Sequence, residues 1–125
     1  MSEMLNSIKN AAMARKSSTE AFYSKECEAV AKVLKDRGFL AEVKVFKEGQ
    51  FKRLNLTLAY QDKMPMVTEV KRVSKPGHRI YQGYDSLHKI QAGFGVAVVS
   101  TSRGIMASEE AKKKKLGGEL ICKVY

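Results

Sequence analysis

Two alternating runs separated by a short turn restrict the fold more than any other feature of this 125-residue chain. Leu40–Lys47 sets Val43 and Val45 against Glu42 and Lys44, and Lys52–Tyr60 sets Leu54, Leu56, Leu58 and Tyr60 on one face. A period of two sends successive side chains to opposite faces, so each run reads as a half-buried strand. Glu48-Gly49-Gln50 turns the chain between them, which makes the pair an antiparallel hairpin. Helical patterns precede the hairpin. Met4, Leu5, Ile8, Ala11 and Ala12 fall on one helical face, and Ser18 to Phe22 reads as extended. Ser24 is a candidate N-cap for a helix carrying Cys27, Val30, Ala31 and Leu34 at i, i+3, i+4 and i+7. Gly38 closes that helix as its C′ residue, with Lys35 and Arg37 in the last turn, where the helix dipole favours cations.

Gln61-Asp62-Lys63 reads as a break between lobes. Beyond it Met66–Val73 reads as a strand, Ser74-Lys75-Pro76-Gly77 as a turn, and Arg79–Gln82 as a short extended segment. Asp85 can cap a turn of helix through Ile90. Val96-Ala97-Val98-Val99-Ser100 is the most apolar and β-branched run, as a buried central strand requires. Ser102-Arg103-Gly104 turns it. Ser108 then caps a helix over Glu109–Leu116, with acids in its first turn and Lys112 to Lys115 at its end, and Gly117-Gly118 stops it. Glu119–Tyr125 is a final strand with Leu120, Cys122 and Val124 on one face. The expected fold is α+β: an N-terminal α/β lobe over 1–62, two helices with a small sheet, and a C-terminal, mainly antiparallel lobe with short helices over 63–125.

Several function classes have no support. There is no G-x-x-x-x-G-K-[ST] loop and no G-x-S-x-G elbow, and Gly93-Phe94-Gly95 precedes a strand rather than a helix. His78 and His88 stand without a cysteine or acid at ligand spacing, and Cys27 and Cys122 make neither a zinc motif nor a disulfide framework, so no metal, cofactor or catalytic residue is expected. No apolar run reaches the roughly 18 residues that span a bilayer, and Met1 to Asn10 has no signal-peptide character.

Charge points elsewhere. The chain carries 23 Lys and Arg against 13 Asp and Glu, a formal net charge of +10. Residues 1–63 hold 12 basic and 8 acidic side chains, a net of +4, and residues 64–125 hold 11 and 5, a net of +6. So large an excess on 14.0 kDa suits a polyanionic partner. Ser100-Thr101-Ser102-Arg103-Gly104 places three hydroxyls and a guanidinium where the buried strand emerges. Hydroxyls suit base edges, ribose and phosphate alike, and they equally satisfy turn backbone. Lys71, Arg72, Lys75, Arg79 and Arg103 surround these turns and can engage phosphates. Tyr81 and Tyr84 lie among them, able to stack on an unpaired base or simply to pack. Lys112–Lys115 is either a solvated helix face or an addition to the attractive field.

Three stretches together resemble a known family. Arg72-Val73-Ser74-Lys75-Pro76-Gly77-His78-Arg79-Ile80-Tyr81, the run from Ala92 to Met106, and Leu116-Gly117-Gly118-Glu119-Leu120-Ile121-Cys122 are similar, in order and spacing, to signatures of the bacterial small-subunit ribosomal protein of the eighth family. Met4 to Ala11 resembles its opening helix. The resemblance covers essentially the whole chain. It implies a two-lobed fold, a cytoplasmic place in the small ribosomal subunit, and primary binding to the central domain of 16S rRNA that helps assemble the platform. It implies RNA contacts from Lys9 and Asn10, from Lys75, Pro76, Gly77, Arg79 and Tyr81, and from Ser100, Thr101, Ser102, Arg103 and Gly104. Glu119 would support the hydroxyl turn, by accepting from a base amino group or orienting the hydroxyls; a salt bridge at the strand edge is the alternative. The family also implies neighbours among the fifth and twelfth small-subunit proteins, a monomer off the ribosome, and repression of its own messenger through a mimic of the rRNA site. Ser7, Gln82-Gly83, His88 and Lys123 depart from the family's usual residues, which changes the expected contacts nearby. A free-standing RNA-binding regulator, or a small enzyme joining Ser102 or Cys27 to a histidine, are the rival readings.

Overall fold

The computed structural model of the chain describes residues 2–75, Gly77, 79–83 and 95–125. Pro76, His78, Tyr84, the short helix expected from Asp85 through Ile90, His88 and Gly93-Phe94 lie outside the described residues. The chain divides into two compact units, Met1–Glu69 and Val70–Tyr125, and the fold is α+β.

The first unit runs α1 (Ser2–Met13), β1 (Ser18–Phe22), α2 (Lys25–Asp36), β2 (Leu40–Glu48), β3 (Phe51–Leu58), β4 (Tyr60–Gln61) and β5 (Met64–Pro65). Its main sheet is antiparallel in the order β1-β3-β2. The apolar face of α1, Met4, Leu5, Ile8, Ala11 and Ala12, is buried with Ala21, Leu54, Leu56 and Leu58 from the sheet. Helix α2 contributes Cys27, Val30, Ala31 and Leu34. The Ser24 hydroxyl accepts from the Cys27 N–H at 3.0 Å, which satisfies one of the N–H groups that a helix start leaves unpaired. Gly38 takes φ +86° just past the helix. The N–H of Phe39 donates to the Leu34 carbonyl at 2.9 Å, closing a Schellman cap. Gly49, at φ +63°, turns the β2–β3 hairpin.

The hairpin differs from expectation at its far end. Strand β3 stops at Leu58, and Tyr60 begins a separate two-residue strand paired with Pro65. Asp62 and Lys63, at φ +52° and +66°, turn it. Positive φ at both central positions is the hallmark of a type I′ turn. The residues read as the break between lobes are therefore a hairpin turn inside the first unit. The Met66 N–H donates to the Ala59 carbonyl at 3.0 Å, tying the far side of this hairpin back to the chain before it. That use of the backbone also shortens the strand expected over Met66–Val73, and the boundary falls between Glu69 and Val70.

The second unit comprises β6 (Val70–Arg72), β7 (Tyr81–Gln82), β8 (Val96–Thr101), β9 (Gly104–Ala107), α3 (Ser108–Lys113) and β10 (Gly118–Val124). Its antiparallel sheet runs β6-β10-β8-β9, and β7 also pairs with β10. Strand β8 is buried on both faces, as its unbroken apolar run predicts. Ala97 and Val99 pack with Met106, Ala111 and Leu120 in one core.

Strand β10 corrects the expected alternation. Leu120 stands opposite Val99 while Cys122 stands opposite Val98, so Ile121 is one residue too many: a β-bulge. Val98 and Val99 point to opposite faces. Leu120 therefore lies on one face of the sheet, and Cys122 and Val124 lie on the other, not all three together.

Helix α3 is shorter than the run Glu109–Leu116 suggests, and Ser108 is its first residue, buried, with Ala107 at the N-cap position and no side-chain cap bond. Its end comes at Lys115, in the left-handed region at φ +57°. The N–H of Leu116 donates to the Ala111 carbonyl at 2.8 Å. This is a Schellman cap formed by a lysine, two residues before the glycines expected to stop the helix.

Candidate nucleic-acid interface

The bulge in β10 decides how the basic loop is held. On one side of it, Cys122, Lys123 and Val124 pair with β6; on the other, Gly118 and Glu119 pair with β7. The chain between β6 and β7 leaves the sheet and returns at the bulge. There the Ile121 carbonyl accepts from Val73 N–H at 2.9 Å and Ser74 N–H at 3.4 Å, and the Leu120 N–H donates to the Ile80 carbonyl at 2.9 Å. Ser74 is buried, and its hydroxyl accepts from the Ile80 N–H at 3.0 Å and donates to the Ile80 carbonyl at 3.5 Å. Arg72 Nε donates to the Ser74 carbonyl at 2.7 Å. One small hydroxyl thus clasps both ends of the segment that carries Lys75, Gly77 and Arg79, all exposed. Gly77 takes φ +83°, as the turn reading requires.

Where this loop rejoins the sheet, the registers bring three candidate residues into a row. Tyr81 is opposite Glu119 on β10, and Glu119 is opposite Ser100 on β8. Directly paired residues share a face, so Tyr81, Glu119 and Ser100 stand side by side. The Tyr81 ring is 70% exposed, which leaves its face open for stacking. Arg79 Nη1 lies 3.2 and 3.1 Å from the two Glu119 carboxylate oxygens. The acid is thus engaged in a salt bridge, which neutralises it and holds the guanidinium over the row. Of the readings open for Glu119, this is the one the geometry contains.

The hydroxyl turn closes the end of the row. Thr101 pairs with Gly104, and Gly104 takes φ +114°. The Thr101 hydroxyl donates to the Gly104 carbonyl at 2.8 Å and accepts from the Arg103 N–H at 3.1 Å. Thr101 therefore shapes the turn and has spent its only donor. Among the described residues, neither Ser100 nor Ser102 gives its hydroxyl to a partner. Ser102 and Arg103 are exposed at the tip. The three hydroxyls, alike by residue type, separate into one that builds the turn and two that have no partner among the described residues.

Gly118 is the unforeseen member. A Cβ there would sit 2.0 Å from the Ser100 carbonyl oxygen. Only a residue without one lets β10 approach β8 closely enough to bring Glu119 beside Ser100. Ser74 is a second such residue, and its place at the head of a Lys-Pro-Gly turn is the signal the sequence offers for it. Cys122 is buried opposite Arg72 and Val98, and burial pushes its thiol up to about 12 while Arg72 acts in the opposite direction. A thiol so placed remains protonated and inert.

Other candidates belong to other elements. Lys9 and Asn10 are exposed on α1 in the first unit, and Lys112 to Lys115 are exposed along and beyond α3. Among the described residues no group of three or more His, Cys, Asp or Glu is placed to hold a metal ion. No described helix is long and apolar enough to cross a membrane.

Fold and site together define a class: a small, strongly basic α+β protein whose second unit gathers a clasped cationic loop, an open tyrosine and a hydroxyl turn at one end of a sheet. The family model described as "Ribosomal protein S8" matches residues 1–125, and the chain belongs to that family. It is similar to the small ribosomal subunit protein uS8 of Nautilia profundicola, 43% identical over 97% of this chain and 93% of the relative. The uS8 proteins of Nostoc punctiforme and Nitratiruptor sp. are 41% and 37% identical, each over 100% of this chain and 96% of its own length.

Proposed function

We propose that this protein is a structural component of the small ribosomal subunit and a primary binder of the central domain of 16S rRNA, helping to assemble the platform. Its role is to hold RNA, not to catalyse. The row of Tyr81, Glu119 and Ser100, with the clasped loop on one side and the Thr101–Gly104 turn on the other, is the observation that carries this reading. Lys75, Arg79 and Arg103 neutralise phosphates, release counterions and supply most of the affinity. Ser100 and Ser102 exchange hydrogen bonds with ribose or base edges, and Tyr81 stacks on an unpaired base. Gly77 and Gly104, both at positive φ, set the backbone of the two turns. A regular A-form helix keeps its bases stacked and its deep groove closed, so such a surface selects a distorted, locally unpaired stretch. Lys9 and Asn10 add backbone contacts from α1. The fifth and twelfth small-subunit proteins are the proposed neighbours, and off the ribosome the protein is a monomer. A messenger segment imitating the rRNA site would compete for the same residues and permit autorepression.

The test is a salt titration of binding to a central-domain rRNA helix and to the same helix with a scrambled core. The wild type is expected to favour the native core by about 4 kcal/mol or more. Ser102→Ala is expected to lose part of that preference at an unchanged salt slope. Lys75→Ala is expected to flatten the slope by about 0.7–0.9 while sparing the preference. Equal binding of both RNAs by the wild type would overturn the assignment of Ser100 and Ser102.

A further inference from the structure

The main sheet of the first unit has one face against α1 and α2 and one face open. The register places Phe22, Arg53 and Phe46 in a single cross-strand row on the open face, because Arg53 of β3 is opposite both. The Arg53 guanidinium lies 4.9 Å from the Phe22 ring centroid, a cation–π contact. Phe51, two residues along β3, belongs to the same face. Phe22 and Phe51 are 58% and 71% exposed. Isolated exposed apolar residues are ordinary, but aromatic rings gathered on one sheet face mark an interaction surface.

Charge decides what kind of partner fits. The same face carries Glu20, Glu42 and Glu48 against Lys44 and Arg53. Both cations are engaged: Lys44 lies 3.5 Å from Glu42, and Arg53 Nε lies 3.4 Å from Glu48 and 3.7 Å from Glu20. On a chain of net charge +10, this face carries three acids against two cations and is acidic on balance. RNA is therefore disfavoured here, and a cationic partner is attracted.

We propose that the open face formed by Phe22, Phe46 and Phe51 docks a protein segment that offers an apolar side chain flanked by lysine or arginine. The apolar side chain covers the exposed rings, and the flanking cations pair with Glu20 and Glu48, which Arg53 only partly neutralises. This surface belongs to the first unit, and the proposed RNA-binding row belongs to the second. The inference rests on the ribosomal reading in one respect: the partner is another protein of the assembled particle.

The experiment uses the full chain carrying p-benzoylphenylalanine in place of Phe51, reconstituted into small subunits and irradiated. A second sample carries the same photo-reactive residue in place of Tyr81. The expected result is a crosslink from position 51 to a protein, mapping to a peptide with an apolar residue beside lysine or arginine, while position 81 crosslinks to rRNA. A crosslink from position 51 to rRNA, to a peptide lacking cations, or to nothing would overturn the docking proposal and leave the RNA-binding reading standing. Failure of the chain to enter the particle would overturn both. As a second measurement, Phe51→Ser is expected to leave rRNA affinity within twofold and to lower recovery of the crosslinked protein at least fivefold at raised salt. Unchanged recovery would overturn the proposal.

Discussion

Arg79 and Glu119 are the pair on which the character of the proposed RNA surface turns. An acid facing a polyanion is unfavourable unless a cation accompanies it, and the two carboxylate oxygens lie 3.2 and 3.1 Å from the same Arg79 nitrogen. Arg79→Ala therefore removes one phosphate partner and also exposes the acid. It is expected to weaken rRNA binding more than Lys75→Ala does, and adding Glu119→Gln to Arg79→Ala is expected to restore part of the loss. A double-mutant cycle by filter binding at fixed salt checks this, and equal losses at Lys75 and Arg79 would contradict it. Gly118 acts through space alone. An added Cβ would sit 2.0 Å from the Ser100 carbonyl oxygen, which is backbone and cannot swing aside. Gly118→Ala is expected to destabilise the second unit by about 1–3 kcal/mol, as overpacking does, and to reduce rRNA binding by separating Glu119 from Ser100. Urea denaturation and the same binding assay read the two effects.

The three described helices show what an element's sequence declares and what it conceals. Helix α2 was legible at both ends because its signals are local: the Ser24 hydroxyl caps within its own turn, and Gly38 supplies the positive φ that its end requires. Helices α1 and α3 end on cations instead. Arg15 at φ +56° and Lys115 at φ +57° occupy the left-handed position that glycine would fill without a Cβ clash. Nothing in the residue type marks Lys115 as the stop, so Gly117-Gly118 drew the prediction while Gly118 was needed by the neighbouring strand. Lys115→Gly is expected to stabilise the protein by about 0.5–1 kcal/mol, the left-handed cost being partly offset by glycine's freedom in the unfolded chain. A rise in the urea midpoint checks it. The strands divide in the same way. The β2–β3 hairpin was readable from alternation alone, and so was the doubly buried β8. The bulge at Ile121 was not, because it answers to β6, β7 and β8 together, and no window of sequence contains them all. At the candidate site, the basic loop and hydroxyl turn were visible by residue type. The division of labour between Thr101 and its serine neighbours was not, since it depends on which carbonyl each hydroxyl meets.

For the whole molecule, stability and binding respond to different solution variables. Binding through phosphates weakens with salt, whereas the buried Cys122 couples stability to alkali. Its thiol is pushed from 9.0 up to about 12 by burial. Between those values the unfolded chain releases a proton that the folded chain keeps, so stability falls as pH rises through that window. The contribution is fully present below about 9. Cys122→Ala is expected to lower stability at neutral pH by leaving a cavity, yet to give a shallower decline of the urea midpoint between pH 9 and 11. Parallel declines in variant and wild type would show that other groups govern the alkaline limb. Strand β10 has a further consequence, in the order of events during synthesis. Strands β6 and β7 both pair with β10, so a growing chain makes the Lys75–Arg79 segment well before the strand that clasps it, and only after β8, β9 and α3 have followed. The first unit contains all of its own sheet partners and can settle while translation continues. A nascent chain interrupted before Gly118 would thus carry a finished first unit and a disassembled row at the proposed RNA surface. It would compete poorly with full-length protein for a place on the RNA.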